Sequence, residues 1–172
     1  MPAKKFLRLI SGVLTEVVGV PASGGAVNDG DIPALDAAGR LDVSMMPTGV
    51  GPEVKVAVAS EALAAGDIVS FWNNTGTINV RKADGSAAGK PAHGFVLAAF
   101  ASSASATVYL PSQINNQKSG LTPGATYWLD VTTPGAITAT PPTGAGKVSQ
   151  VVGVALSATE LNFVPLHPVT MG

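Results

Sequence analysis

From Glu53 onward, apolar and polar positions alternate in short runs: VKVAVAS, DIVSFW, TINVRKA, HGFVLAAF, ATVYLP, ATYWLDV, GAITATP, VSQVVGVAL and ELNFVPL. Period-two alternation puts successive side chains on opposite faces, so each run predicts a short, half-buried β-strand. Turn signals separate the runs, among them Ala65-Gly66, Asn73-Asn74, Asp84-Gly85, Ser119-Gly120 and Pro123-Gly124. About nine short strands with this punctuation predict an all-β body over 53–172, a compact antiparallel β-barrel or β-sandwich. SEALAA (60–65) has helical propensity but is too short to stand alone, and SATEL (157–161) could hold one helical turn. No fixed-period repeat occurs, which argues against a solenoid.

The first third reads differently. FLRLI (6–10) and VLTEVV (13–18) flank Ser11-Gly12, a dipeptide suited to a hairpin turn. An isolated hairpin is marginal in water, so this one must lean on something else. Residues 19–52 are rich in Gly and Pro, and nothing longer than about a turn fits between these breakers. Within them, Asp36-Ala-Ala-Gly39 reads as a tight turn, Leu41 to Met46 as an amphipathic scrap, and Pro47 and Gly49 as a stop. The segment nevertheless keeps Ile32, Leu35, Leu41, Val43, Met45 and Met46, which a plain linker would not need. Residues 1–52 are therefore expected to form a hairpin plus an extended arm, ordered by laying apolar side chains on another surface. The expected anchors are Phe6, Leu9, Ile32, Leu35, Leu41, Met45 and Met46.

Composition adds self-association. Hydrophobic residues make up 46% of the 172 positions, charged ones only 12% and aromatic ones 5%, so the surface is bland and suited to burial in an assembly. A net charge of −1 gives no footprint for nucleic acid or an anionic membrane, and Lys4, Lys5 and Arg8 read as a solvated chain end. With no cysteine there is no disulfide framework or thiolate chemistry. Arg8 and Glu16 interrupt the apolar run that a signal peptide needs, and no run reaches the roughly 18 apolar residues of a membrane span. Synthesis and folding in a cytoplasm are expected.

Candidate chemistry is sparse. Gly85-Ser-Ala-Ala-Gly89-Lys90 is one residue short of a phosphate-binding loop and has Pro91 where Ser or Thr is needed. His93 and His167 lack partners at metal-ligand spacing. Asn28-Asp-Gly-Asp31, with Asp36 and Asp42, lacks the calcium-loop pattern and fits an Asx turn. Trp72 and Trp128 could stack sugars but suit core filling better in so aromatic-poor a domain. A glycosidase needs two carboxylates about 5–10 Å apart. Asp67, Asp84, Asp130 and Glu160 all fall at strand ends or turns with no cleft signal. No metal, cofactor or catalytic activity is expected.

IPALDAAGRLDVSMMPTG (32–49), continued through GVGPEVKVAVASEALAAGDIV, resembles tailed-bacteriophage virion structural proteins of the capsid decoration (cement) or head-fibre type. There a Leu-Asp-x-x-Gly-Arg-Leu-Asp turn followed by Met-Met-Pro or Leu-Leu-Pro recurs in an arm before a β domain. VRKADGSAAGKPAHGFVLA, SGLTPGATYWLDVTTPGAITATPPT and VVGVALSATELNFVP are similar as well. The resemblance implies a non-enzymatic, usually homotrimeric component of the virion, made in the host bacterial cytoplasm. As a decoration protein it would sit on the outer capsid surface with the major capsid protein as partner. The alternative it implies is a tail- or head-fibre component that contacts host surface glycans. The short chain, with one arm and one β domain and no repetitive shaft, favours the head.

Overall fold

In the computed structural model, which describes residues 5–37, 39–46 and 50–172, the architecture is all-β; Lys4, Pro47 and Gly49 lie outside the described residues. Regular helix among the described residues is confined to two short 3₁₀ turns, Gly25–Asn28 and Val43–Met45, and no helix is long and apolar enough to cross a membrane. The chain divides into two compact units, Met1–Gly51 and Pro52–Gly172.

The second unit opens with a closed five-stranded barrel: β3 (Val54–Ala59), β4 (Ile68–Asn74), β5 (Thr77–Lys82), β6 (Gly94–Phe95) and β7 (Ser105–Tyr109), joined in the order β3-β5-β4-β6-β7. Alternation along these strands turns Ala57, Ala59, Val69, Val80, Ala106 and Val108 inward, where with Leu63 and Val96 they make a core of small side chains. Ala and Val suit a barrel of only five strands, whose interior has little room. One seam departs from the antiparallel expectation: β3 and β5 run parallel, paired at Val58–Asn79 and Ala59–Val80.

A five-stranded sheet follows, ordered β10-β9-β12-β13-β8, from β8 (Gln113–Asn115), β9 (Thr126–Leu129), β10 (Ile137–Thr138), β12 (Val151–Ala155) and β13 (Leu161–Phe163). Its β12 partner β9 shifts register between Val151 and Gly153, a bulge. β11 (Val148–Ser149) and β14 (Val169–Thr170) form a separate two-stranded ladder. The second core lies between barrel wall and sheet: Ile68 and Phe95 from the barrel meet Tyr127, Leu129, Val152, Leu161 and Phe163. The Phe95 ring stacks on Tyr109 at 5.5 Å and meets Phe163 edge-on at 5.4 Å. These are favourable arrangements for aromatic quadrupoles.

SEALAA, too short to stand alone as a helix, forms none, and SATEL holds no helical turn. Leu63 of SEALAA is buried and exchanges backbone hydrogen bonds of 2.9 Å each way with Phe100, while the Asp67 carboxylate accepts the Ala64 N–H at 2.8 Å. SATEL is a turn closed by the Leu156 N–H on the Glu160 carbonyl at 2.8 Å. Tertiary pairing outweighs weak local propensity in both.

Candidate attachment surface

The first unit begins with a hairpin, β1 (Lys5–Ile10) and β2 (Val13–Val18), in register from Lys5–Val18 to Ile10–Val13. Its turn places Ser11 at φ 50° and Gly12 at φ 83°, the doubly left-handed backbone whose twist matches the two strands. Alternation then sorts the side chains onto two faces. Lys5, Leu7, Leu9, Leu14, Glu16 and Val18 share one; Phe6, Arg8, Ile10, Val13, Thr15 and Val17 share the other.

The second of these faces is partly covered by the unit's own arm. The Phe6 ring lies against Gly19, whose added Cβ would come within 3.2 Å of it. Arg8 meets Asp31 at 3.9 Å. The first face is bare: Leu7, Leu9 and Leu14 are 73%, 65% and 69% exposed, and the Lys5–Glu16 ion pair at 2.6 Å lies among them.

The arm, expected to be extended, is folded back on itself. Val20 donates to the Ile32 carbonyl and the Ala34 N–H donates to the Val20 carbonyl, both at 2.9 Å. The reason is a series of short polar side chains that satisfy nearby backbone. Asn28 Oδ1 accepts the Gly24 N–H at 2.6 Å, and Asp36 Oδ1 accepts the Arg40 N–H at 2.9 Å while its carbonyl accepts the Gly39 N–H. Asp42 Oδ1 accepts the Ser44 N–H at 2.9 Å and starts a 3₁₀ turn, and the Ser44 hydroxyl accepts the Ser23 N–H at 2.8 Å. Hydrogen bonds from the Ser44 side chain and backbone hold the Asp42 carboxyl below its ordinary range. Thus Asp36 and Asp42 each use a carboxylate to cap nearby backbone, and Leu41 and Met46 are left exposed.

Of the expected anchors, Phe6, Leu9, Ile32, Leu35, Leu41 and Met46 are all exposed. Met45 is half-buried and lines a cleft of about 240 Å³ with Val20, Ser23, Asn28, Asp31, Pro33 and Ser44. They do not form one surface: Phe6 faces the arm and Leu9 the bare side of the hairpin. Leu7, Leu14 and Val18 join Leu9 there, a grouping that the alternation of FLRLI and VLTEVV already contains. Within the described part of this unit Gly19 alone is fully buried, so no apolar core forms.

The other candidates are spent on structure. Asp84 accepts the Ser86 N–H at 2.8 Å and pairs with Lys90 at 3.3 Å, folding the Gly85–Lys90 loop onto its own carboxylate. Burial pushes the Asp84 pKa up, but the bonds from Ser86 and Lys90 outweigh it and the net shift is downward. Asp130 caps Thr132 and Thr133 in the same manner, and Asp67 pairs with Lys82 at 3.4 Å. Asn28 donates to Asp31 at 3.0 Å, and among the described residues no group of three or more His, Cys, Asp or Glu could hold a metal.

His93 Nδ1 accepts the Phe71 N–H at 3.0 Å, and the imidazole lies nearly parallel to the Phe71 ring. Desolvation depresses the His93 pKa. His167 Nδ1 donates to the Pro168 carbonyl at 2.9 Å. Trp72 donates to the Ser60 hydroxyl at 2.9 Å and carries the Arg81 guanidinium 5.0 Å over its ring, which takes a face that a sugar would use. Trp128 stands in β9 opposite Thr138 and Val151, half-buried.

No protein-family model, no curated protein and no solved structure matches the chain.

Proposed function

We propose that this chain is a bacteriophage capsid decoration (cement) protein that binds the outer head surface as a homotrimer and reinforces the shell. The observation that carries the reading is the contrast between the two units. The second has two apolar cores. The first has none among its described residues and exposes Leu7, Leu9, Leu14, Val27, Leu35 and Val43 instead. A segment so built gains its stability by covering those side chains on another surface, here the major capsid protein. Backbone pairing adds to this, because among the described residues no further strand pairs with either outer edge of the hairpin, which leaves them to strand addition. Three such arms on one trimer convert a weak contact into a tight one. The work is adhesion, with the carboxylates serving as turn caps and not as acid and base.

The test uses heads that lack the protein, mixed with the full chain or with the chain lacking residues 1–50. The full chain is expected to sediment with heads at saturating occupancy and the truncated one to stay in solution. Equal occupancy by both contradicts the assignment.

A fibre component that contacts host glycans is the second reading, favoured by the half-exposed Trp128 beside Thr126 and Thr138 on the five-stranded sheet. Glycan-array binding by the isolated protein, lost in Trp128→Ala, would support it.

A further inference from the structure

The wall of the barrel carries a second uncovered surface, and it lies in the well-packed unit. Ala57 and Ala59 of β3 face the core, so alternation sends Val54, Val56 and Val58 outward. All three are exposed, Val56 to 58%. A row of three β-branched apolar side chains is what a strand carries on a face meant for burial.

The backbone of the same residues is incompletely paired. β3 bonds to β7 along Val54–Val58, but its parallel partner β5 reaches only Val58 and Ala59. Among the described residues, Val54–Ala57 therefore pairs along one edge alone. The apolar row and the open edge coincide.

Charge decides what covers them. Opposite the row on β7 stand Ser105, Thr107 and Tyr109, and beside Val58 on β5 stands Asn79. None carries a charge, and Lys55, the one cation of β3, belongs to the other face by alternation. In a rotationally symmetric assembly each residue near the axis meets its own copies, so any formal charge there repels itself. A surface that is apolar, neutral and half-open at its edge satisfies that condition. The bare face of the β1–β2 hairpin, which includes Lys5 and Glu16, does not share this neutrality.

We propose that the Val54–Val56–Val58 row of β3 is the self-association surface of this protein, brought near the same row of the other copies around the symmetry axis. This rests on the homotrimer in the reading above and is independent of the capsid.

The test is made on the isolated full chain, without heads, so failure here leaves the capsid assignment standing. The chain has no cysteine, so in Val56→Cys every disulfide joins residue 56 of two copies. Mild oxidation of Val56→Cys is expected to give covalent pairs plus an unlinked third chain, whereas Val154→Cys on the outer face of the five-stranded sheet gives none. Val56→Asp is expected to run as a monomer in light scattering with its far-ultraviolet β signature kept. Val56→Thr, which keeps the β-branch and volume, is expected to weaken assembly by about tenfold or more. A monomeric parent protein overturns the proposal. So does a Val56→Cys that stays unlinked, or a Val56→Thr that assembles as tightly as the parent.

Discussion

The side-chain amide of Gln150 pairs with the backbone of Ala92 as a neighbouring strand would. Its Oε1 accepts the Ala92 N–H at 2.7 Å and its Nε2 donates to the Ala92 carbonyl at 3.2 Å. A third bond runs from Nε2 to the Leu166 carbonyl at 3.0 Å. Both residues are buried, so one polar side chain ties the segment before β6 to the β11–β12 junction and to the chain beyond β13. Gln150→Leu leaves the buried Ala92 N–H and carbonyl without partners, and a loss of about 2–4 kcal/mol is expected. A lowered urea midpoint with an unchanged slope checks it.

Gly153 sits at the bulge where β12 shifts against β9, and a Cβ there would collide with the Asn162 carbonyl oxygen of β13. Gly153→Ala must push β12 and β13 apart, and a cost of about 3 kcal/mol is expected from overpacking. Thermal unfolding of the variant against the parent measures it.

Lys118 is half-buried, and desolvation lowers its pKa to about 8 even though the nearby Asp67 charge pulls it back up. Between about pH 8 and the ordinary value of 10.5 the unfolded chain binds the proton and the folded chain does not, so stability from this group rises with pH across that window. Lys118→Met removes a charge that costs energy to bury. The variant is expected to be more stable than the parent at neutral pH and to lose the alkaline rise. Denaturant midpoints on both sides of pH 9 check the sign.

His93 has the opposite pH range. Burial lowers its pKa below 6.5, and protonation of Nδ1 would remove the acceptor of the Phe71 N–H. The unfolded chain takes up the proton first, so stability falls as pH drops below about 6.5 and levels off beneath the folded pKa. His93→Gln keeps an acceptor without the titration and is expected to flatten that acid limb. Unfolding curves at about pH 5 and about pH 7.5 decide it.

Much of this architecture is legible in the chain. Ser11-Gly12 between two apolar runs gave the hairpin, and ATYWLDV and VVGVAL gave two of the three interior strands of the sheet. What escaped were strands too short or too polar to show a period, such as Gln113–Asn115 and Val169–Thr170, which exist because a neighbour offers an edge. The parallel β3–β5 seam is invisible for the same reason, since pairing direction is set by closure of the barrel. In the arm, apolar content was readable and its path was not. The fold-back depends on hydrogen bonds between residues 20 and 32 and between 23 and 44, and no local pattern encodes such distant pairs.

The claim on which the functional account turns is that the hairpin and arm become stable only against a partner surface. Amide hydrogen exchange of residues 5–18 in the isolated protein and on decorated heads tests it most directly. Exchange that is fast in the free protein and slowed by two or more orders of magnitude, roughly the effect of a few kcal/mol of local stabilisation, is the predicted result. Equal, strong protection of those amides with and without heads would contradict it.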